Sequence, residues 1–419
     1  MADVSDLPGM RILQLTNKVP YPPRDGGAIA SLSLATGLAR AGHEVVVLAM
    51  NTTKHKASVE THNHASRNYE THDYASLHPS LKLISVPVDT RIRWFPALMN
   101  LLFSRLPYNA VRFRSREYAA ALRRLLEKEK FDFVLLENLY TFLYLDILES
   151  FQGTRIIMRS HNIEHEIWLR TAKATPGLKG MYLKILGSRI RRFELKQINR
   201  YSAVVPISEH DGAQLTAFGN HKPMFILPTG IELSSKELKP QPGIGSLVGH
   251  LGALDWLPNQ NGIRWFLQEV WPIVKKSIPK AEFHLAGRNS PKDFAAEMQA
   301  MGAFFHGEIE DAQSFTAGLS VMVIPLFSGS GMRIKMLDYL SEGKAVVSTT
   351  IGAEGVCLTP GTESLVADRP VDFAAAVITL LRSPGLRKEM GEKAIELVRN
   401  NYSNDLLIKR FVDFLTRLP

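Results

Sequence analysis

The sequence predicts two doubly wound α/β domains, each with a Rossmann-like parallel sheet, joined by a linker. Three observations predict it. Short apolar runs alternate with helical stretches along most of the chain. The alternation stops at a Pro-, Gly- and Ser-rich stretch, residues 228–245, and then restarts. A length of 419 residues is too great for one ordinary domain and suits two of about 200 each.

In the first half, residues 12–16, 44–50, 81–88, 131–137, 154–160, 203–208 and 225–228 read as strands buried on both faces. Residues 28–41 have helical spacing through Ile29, Leu32, Ala35 and Leu38, and stop at Gly42. Helices are also expected over 115–130 and 178–201, and a polar loop over 51–80. In the second half, strands are expected at 246–251, 282–286, 303–306, 321–326, 345–350 and 365–367. Helices are expected at 259–277, 291–301, 312–319 and 332–342, and through the last 50 residues. The resulting division is an N-terminal domain over 1–230, a linker over 231–245 and a C-terminal domain over 246–400. A closing helix over 401–419 is expected to pack back on the first domain. Ligands of such sheets bind beyond the carboxyl ends of the strands, so the loops there, facing an interdomain cleft, are where chemistry is expected.

Composition narrows the class. A hydrophobic content of 45% with 22% charged residues fits a globular protein with full-sized cores. The single cysteine, Cys357, excludes a disulfide framework and suits a reducing cytoplasm. The opening residues have no apolar signal core, and the apolar run 97–103 is far too short to span a bilayer. The net charge of +9 is uneven: residues 1–232 hold 30 basic and 21 acidic side chains, residues 233–419 hold 20 of each. The excess concentrates in 91–130, with 10 basic and 3 acidic, and in 173–200, with 8 and 1. Within 91–130, Arg91, Arg93 and Arg105 are interleaved with Trp94, Phe95, Leu98 and Phe103, a mixture that suits an anionic membrane surface. Residues 178–200 extend the basic surface through Lys184, Arg189 and Arg192. No nucleic-acid-binding motif accompanies the charge, so nucleic acid is not expected as a partner.

The richest loop follows the expected strand 321–326 and spans residues 325–343. Ser328-Gly329-Ser330-Gly331 lets a ligand approach the backbone closely and opens onto a helix whose first N–H groups favour an anion. Arg333 and Lys335 then oppose the helix dipole, a conflict that a bound phosphate resolves. Asp338 is either an i,i+3 ion-pair partner of Lys335 or a carboxylate that accepts from ribose hydroxyls.

This segment resembles the donor-site motif of family 4 glycosyltransferases, which have the GT-B fold. That motif places two glutamates around seven residues; here Ser330 and Asp338 stand in their positions, and residues 338–343 match its second half. Residues 329–335 are similar to a GSGxRxK variant of the motif. The resemblance covers nearly the whole chain. Residues 10–50 look like the family's opening strand, Gly-Gly loop and helix, which implies that Gly26 and Gly27 face the donor phosphates. Residues 160–165 look like an HNxE segment and imply that His161 lies near the transferred sugar or the acceptor. Residues 249–262 look like the first donor-domain loop, with Asn259 in a region where many relatives carry a lysine; alternatively Asn259 caps the following helix. Gly287 and Arg288 correspond to the loop by the nucleotide, and Ile309 to the backbone that holds the base.

The resemblance implies transfer of a sugar from a nucleoside-diphosphate sugar to a lipid-linked or polysaccharide-precursor glycan, with retention of configuration. It implies no metal or other cofactor, and His161 and His165 lack a third ligand. Arg333, Lys335 and the Gly331 amide would stabilise the leaving diphosphate. The expected place of work is the cytoplasm, peripheral on the inner face of the membrane. Two rivals are a nucleotide-sugar epimerase or hydrolase of the same fold, and a non-catalytic membrane-associated binding protein. The second is motivated by Ser330 and by the absence of a lysine near Asn259.

Overall fold

The computed structural model describes residues 9–23, 25–53, 70–72, 78–173, 175–233, 243, 245–329, 331–359 and 361–419. The chain divides into two compact units. Unit 1 comprises Met1–Gly230 with Asn404–Pro419, and unit 2 comprises Ile231–Ser403.

Unit 1 is built on strands β1 (Arg11–Thr16), β2 (Glu44–Thr52), β3 (Glu70–His72), β4 (Leu81–Val88), β5 (Phe133–Leu136), β6 (Arg155–Ser160) and β7 (Ala203–Pro206). Their order is β3-β4-β2-β1-β5-β6-β7, and every pairing is parallel except that of β3 with β4. The four residues of β5 are all buried, and so are residues 45–50 of β2. Such continuous apolar runs, with no alternation, fit a sheet covered on both faces. Unit 2 repeats the plan with β8 (Leu247–Leu251), β9 (Glu282–Ala286), β10 (Ala303–Gly307), β11 (Val321–Ile324), β12 (Val346–Ser348) and β13 (Leu365–Val366). Its order is β10-β9-β8-β11-β12-β13, parallel throughout. Strand order therefore reverses between β1 and β5 in unit 1 and between β8 and β11 in unit 2. Those two places are where a doubly wound sheet opens a crevice for ligands.

Helix Asn404–Thr416 belongs to unit 1. Leu407, Ile408, Phe411, Val412 and Leu415 form its buried stripe. Asn404 Nδ2 donates to the Ser33 carbonyl at 3.3 Å and the Ser33 hydroxyl donates to Asn404 Oδ1 at 3.0 Å, fixing the helix against Gly26–Arg40.

Several expected elements differ. Residues 225–228 are not a strand. Phe225 and Leu227 donate to the carbonyls of Val204 and Pro206 at 3.1 and 2.9 Å, but Pro206 and Pro223 have no N–H with which to complete a ladder. The helix expected over 259–277 is broken into Leu257–Trp265, a π turn Phe266–Val270, and Trp271–Ser277, with Pro272 in the first turn of the last piece. The helix expected over 332–342 runs over Ile334–Ser341. Helices Trp94–Phe103, Glu164–Lys173 and Glu209–Ala217 were not expected. Most of the polar loop expected over 51–80 lies outside the described residues.

Candidate active site

In unit 2 the loop after β11 and the loop after β8 meet at the strand-order reversal. Gly329 and Gly331 have φ of 123° and 76°, values that side chains rarely adopt, so the loop turns sharply before its helix. Ser330 lies outside the described residues. Arg333 is the residue before the helix, with extended-side backbone (φ −86°, ψ 87°), and Lys335 is in the first turn.

The two cations have different surroundings. Arg333 is buried, and its guanidinium donates to the carbonyls of Gly331 at 3.1 Å and Ile351 at 3.2 Å. It also pairs with Glu354 at 3.4 Å. These contacts brace the loop. Lys335 instead donates Nζ to Asn259 Oδ1 at 3.0 Å. Asn259 is not the helix cap: the cap position is Trp256, and Asn259, one turn in, donates Nδ2 to the Ala253 carbonyl at 2.7 Å. A side-chain amide thus ties the β8 loop to Lys335.

Lys335 forms no ion pair among the described residues. Burial and the neighbouring Arg333 charge hold its ammonium down to about 7, against a smaller pull from Asp338. His250, on β8, adds to the cluster. Burial and the Lys335 charge push its imidazole down to about 3. Its Nδ1 donates to the Val323 carbonyl at 2.9 Å, and the buried Nε2 has no partner. Lys335 Nζ, Asn259 Nδ2 and His250 Nε2 lie 2.7, 3.1 and 3.3 Å from where a β-carbon on Gly252 would stand, so all three ring one spot. A partly desolvated cation bonded only to a neutral amide is a place that favours an incoming anion.

The remaining expected residues of unit 2 fall into two groups. Gly287 joins the same loops: its backbone comes so close to Gly252 that a β-carbon would lie 1.8 Å from the Gly252 carbonyl oxygen, and the Arg288 carbonyl accepts from Leu254 N–H at 2.9 Å. Ile309 follows β10 and makes no hydrogen bond to this cluster. Asp338 is exposed and pairs with no cation among the described residues, so it is not the i,i+3 partner of Lys335.

In unit 1 the equivalent reversal holds a charged network. Glu137 follows β5 and is buried. It accepts from Gln14 at 2.9 Å, from the Ser31 hydroxyl at 2.9 Å and from Arg159 at 3.2 Å. Its Oε2 also lies 2.5 Å from His161 Nε2. Burial opposes the charge on Glu137, but Arg159, His161 and the Ser31 hydroxyl outweigh it and hold the acid at about 2. Burial in turn lowers the His161 imidazole, with Glu137 pulling the other way. With Nε2 committed to the carboxylate, Nδ1 is the nitrogen left for other work. Gly26 begins helix Gly26–Arg40, capped by Asp25, which accepts from Ala28 N–H at 2.9 Å. Gly27 lies against Lys18, whose ammonium pairs with Asp25. His165 is not with His161; it faces Glu194 at 2.5 Å. Among the described residues no group of three His, Cys, Asp or Glu is arranged to hold a metal.

Glu137, Arg159, Lys18 and His250 were not singled out from the sequence. The available signals were a charged residue within the buried run of β6, an acid directly after β5, and a histidine in the buried run of β8.

Comparison with known proteins matches both halves. The family described as Glycosyltransferase Family 4 matches residues 24–235, and that described as Glycosyl transferases group 1 matches residues 245–383. An uncharacterised 44.6 kDa protein in the cps region of Klebsiella pneumoniae is 22% identical over 404 residues, 94% of this chain and 97% of that protein. Sucrose-phosphate synthase from Thermosynechococcus elongatus has a similar structure, with a TM-score of 0.66 at 15% identity, covering 97% of this chain and 99% of that one. The Anabaena protein HepE, solved with UDP-glucose, gives a TM-score of 0.62 at 11% identity over 98% of this chain and 100% of that one. These solved structures share the GT-B architecture of two parallel-sheet units flanked by helices. By its match over residues 24–235, with the companion match over 245–383, the chain belongs to glycosyltransferase family 4 and is a glycosyltransferase.

Proposed function

We propose that the chain transfers a sugar from a nucleoside-diphosphate sugar, whose diphosphate binds unit 2, to a glycan or lipid-linked acceptor bound by unit 1. The observation that carries this is Lys335: a partly desolvated cation with a neutral partner, at the strand-order reversal and in the first turn of a helix. Lys335 Nζ and the N-terminal end of that helix stabilise the charge that develops on the leaving diphosphate. Arg333 acts by holding the loop that carries them. Asp338, exposed and without an ion pair among the described residues, accepts from the ribose hydroxyls. His161, oriented by Glu137, offers Nδ1 to the transferred sugar or the acceptor.

Transfer proceeds with retention. The bond between the anomeric carbon and the diphosphate oxygen breaks as the acceptor oxygen bonds on the same face, and the departing diphosphate takes the acceptor proton. No metal ion or other cofactor enters this scheme. The Klebsiella relative from the cps region supports an acceptor in cell-envelope polysaccharide synthesis; the place of work in this reading is the cytoplasmic face of the membrane. Among the described residues no helix is long and apolar enough to cross a membrane, which suits attachment from the surface.

A panel of nucleotide sugars tested for thermal stabilisation reads the donor directly, because a bound ligand raises apparent stability by mass action. The expected result is stabilisation by one nucleoside class, followed by an α-to-α product in the anomeric NMR spectrum when the donor is an α-glycoside. Rapid release of free sugar from donor alone would overturn transfer in favour of hydrolysis.

A further inference from the structure

Unit 1 contains a second polar site beside the His161 network, with Lys18 lining it and its charge also reaching His161. A cavity of about 520 Å³ opens over the carboxyl ends of three neighbouring strands. It is lined by Lys18 beyond β1, Thr52 and Thr53 at the end of β2, and Thr90 and Arg91 beyond β4, with Arg112 closing one side. Among the described residues its polar lining is Asn17, hydroxyls and cations, with no carboxylate. Lys18 is compensated by Asp25, and Arg91 by Asp89 at 2.8 Å. Arg112 is not compensated. It donates Nη1 to the Thr90 carbonyl at 3.1 Å, lies over the Phe113 ring, and among the described residues forms no ion pair and makes no hydrogen bond through Nη2. A guanidinium with an unused donor, beside several hydroxyls, matches the tetrahedral oxygens of a phosphate. The volume exceeds that of a phosphate or a diphosphate and leaves room for an attached group.

The rim of the cavity continues into apolar surface. Ile92 lines it, and the chain then enters helix Trp94–Phe103, which buries none of its residues. Trp94 and Phe103 are each 78% exposed and Leu102 is 63% exposed. Arg189 donates to the carbonyls of Asn100 and Leu101 at 3.1 and 2.7 Å and so fixes this helix to Gly177–Gln197. That helix in turn exposes Leu178 and Met181. Aromatic and aliphatic side chains raised among 10 basic and 3 acidic residues over 91–130 complement an anionic bilayer.

We propose that this cavity binds the phosphate head of a lipid-linked acceptor drawn from a bilayer, while helix Trp94–Phe103 sits in the lipid surface beside it. The identity of the ligand as acceptor rests on the function proposed above; the site itself does not. The step needs no reaction: the lipid phosphate enters as an anion, and Arg112 and the threonine hydroxyls donate to its oxygens while the tail stays in the membrane.

The test uses the full chain without any nucleotide, floated with vesicles of phosphatidylcholine, of phosphatidylcholine with phosphatidylglycerol, and of phosphatidylcholine with a polyprenyl diphosphate at equal surface charge. The wild type is expected to bind the polyprenyl diphosphate vesicles about tenfold more tightly than the equally charged phosphatidylglycerol vesicles. Arg112→Gln should erase that difference while keeping binding to phosphatidylglycerol, and Arg112→Lys should restore part of it. A double substitution of exposed residues, Trp94→Ser with Phe103→Ser, should weaken binding to all vesicles yet leave calorimetric binding of a soluble short-chain prenyl diphosphate unchanged. Equal wild-type binding to the two charged vesicles, or an undiminished difference in Arg112→Gln, would overturn the proposal. So would inorganic diphosphate binding as tightly as the prenyl diphosphate, which would assign the cavity to a free anion. Because no donor is present, failure here leaves the donor site of unit 2 untouched, and failure of the donor panel leaves this result standing.

Discussion

The two strand-order reversals hold charge in opposite ways. Between β1 and β5, Glu137 is buried and satisfied from within the unit by Arg159, His161, Ser31 and Gln14. Between β8 and β11, Lys335 is partly desolvated and among the described residues is answered only by the neutral amide of Asn259. The first arrangement needs no ligand to balance it, so it serves order and orientation. The second is left short of negative charge, an arrangement that suits an incoming anion. The same topology thus closes its charge internally at one reversal and leaves a cation open at the other.

Removing charge should therefore have opposite effects on stability. Glu137→Ala leaves Arg159 buried without its carboxylate and should destabilise the chain by about 3–5 kcal/mol, read by urea unfolding. A loss under 1 kcal/mol would show that the network is not self-compensated. His161→Ala, assayed with an acceptor, should lower kcat by about 10²-fold with donor affinity unchanged, since the residue belongs to unit 1. An unchanged kcat would assign His161 to structure alone. Lys335→Met should leave stability equal or slightly higher, because it removes a poorly solvated cation; a clear drop in melting temperature would mean that the Asn259 contact is structural.

The pH dependence separates the sites further. The Glu137 carboxyl is lowered from 4.5 to about 2, so its contribution is complete above about 4.5 and is lost as pH falls toward 2. The Lys335 ammonium is lowered from 10.5 to about 7, so the folded chain binds fewer protons than the unfolded one between those values. Its burial cost should fade, and stability should rise, as pH increases from about 7 toward 10.5. Denaturation curves of the wild type minus those of Lys335→Met should show this rise; a flat difference would place the ammonium at its ordinary value. The smallest effect is expected at Asp338→Asn, neutral or slightly stabilising in urea unfolding at pH 7, because the carboxyl forms no ion pair among the described residues and desolvation and the Glu342 charge already push its acid up to about 7.

The loop after β11 was legible because its chemistry is contiguous. Glycines, two cations and a helix start occupy residues 329–335, and local rules suffice to interpret them. The partner of Lys335 was harder, since Asn259 is 76 residues away and its type also suits a helix cap. The Glu137 network was not legible. Gln14 and Glu137 are separated by 123 positions and meet only once β1 and β5 are paired. The two-unit α/β plan was readable from the alternation of runs. The π turn at Phe266–Val270 and the incomplete pairing beyond β7 were not, because they depend on where single prolines fall in a formed helix or ladder.

We propose that unit 2 receives the diphosphate of a nucleotide sugar through Lys335. Calorimetric titration of UDP, GDP and ADP into the wild type and Lys335→Met at pH 6.5 tests it most directly. Saturable wild-type binding of at least one of them is expected, weakened about tenfold or more by the substitution, in line with the loss of a charged hydrogen bond. Binding of equal strength to both proteins, or binding of none to the wild type, would contradict it.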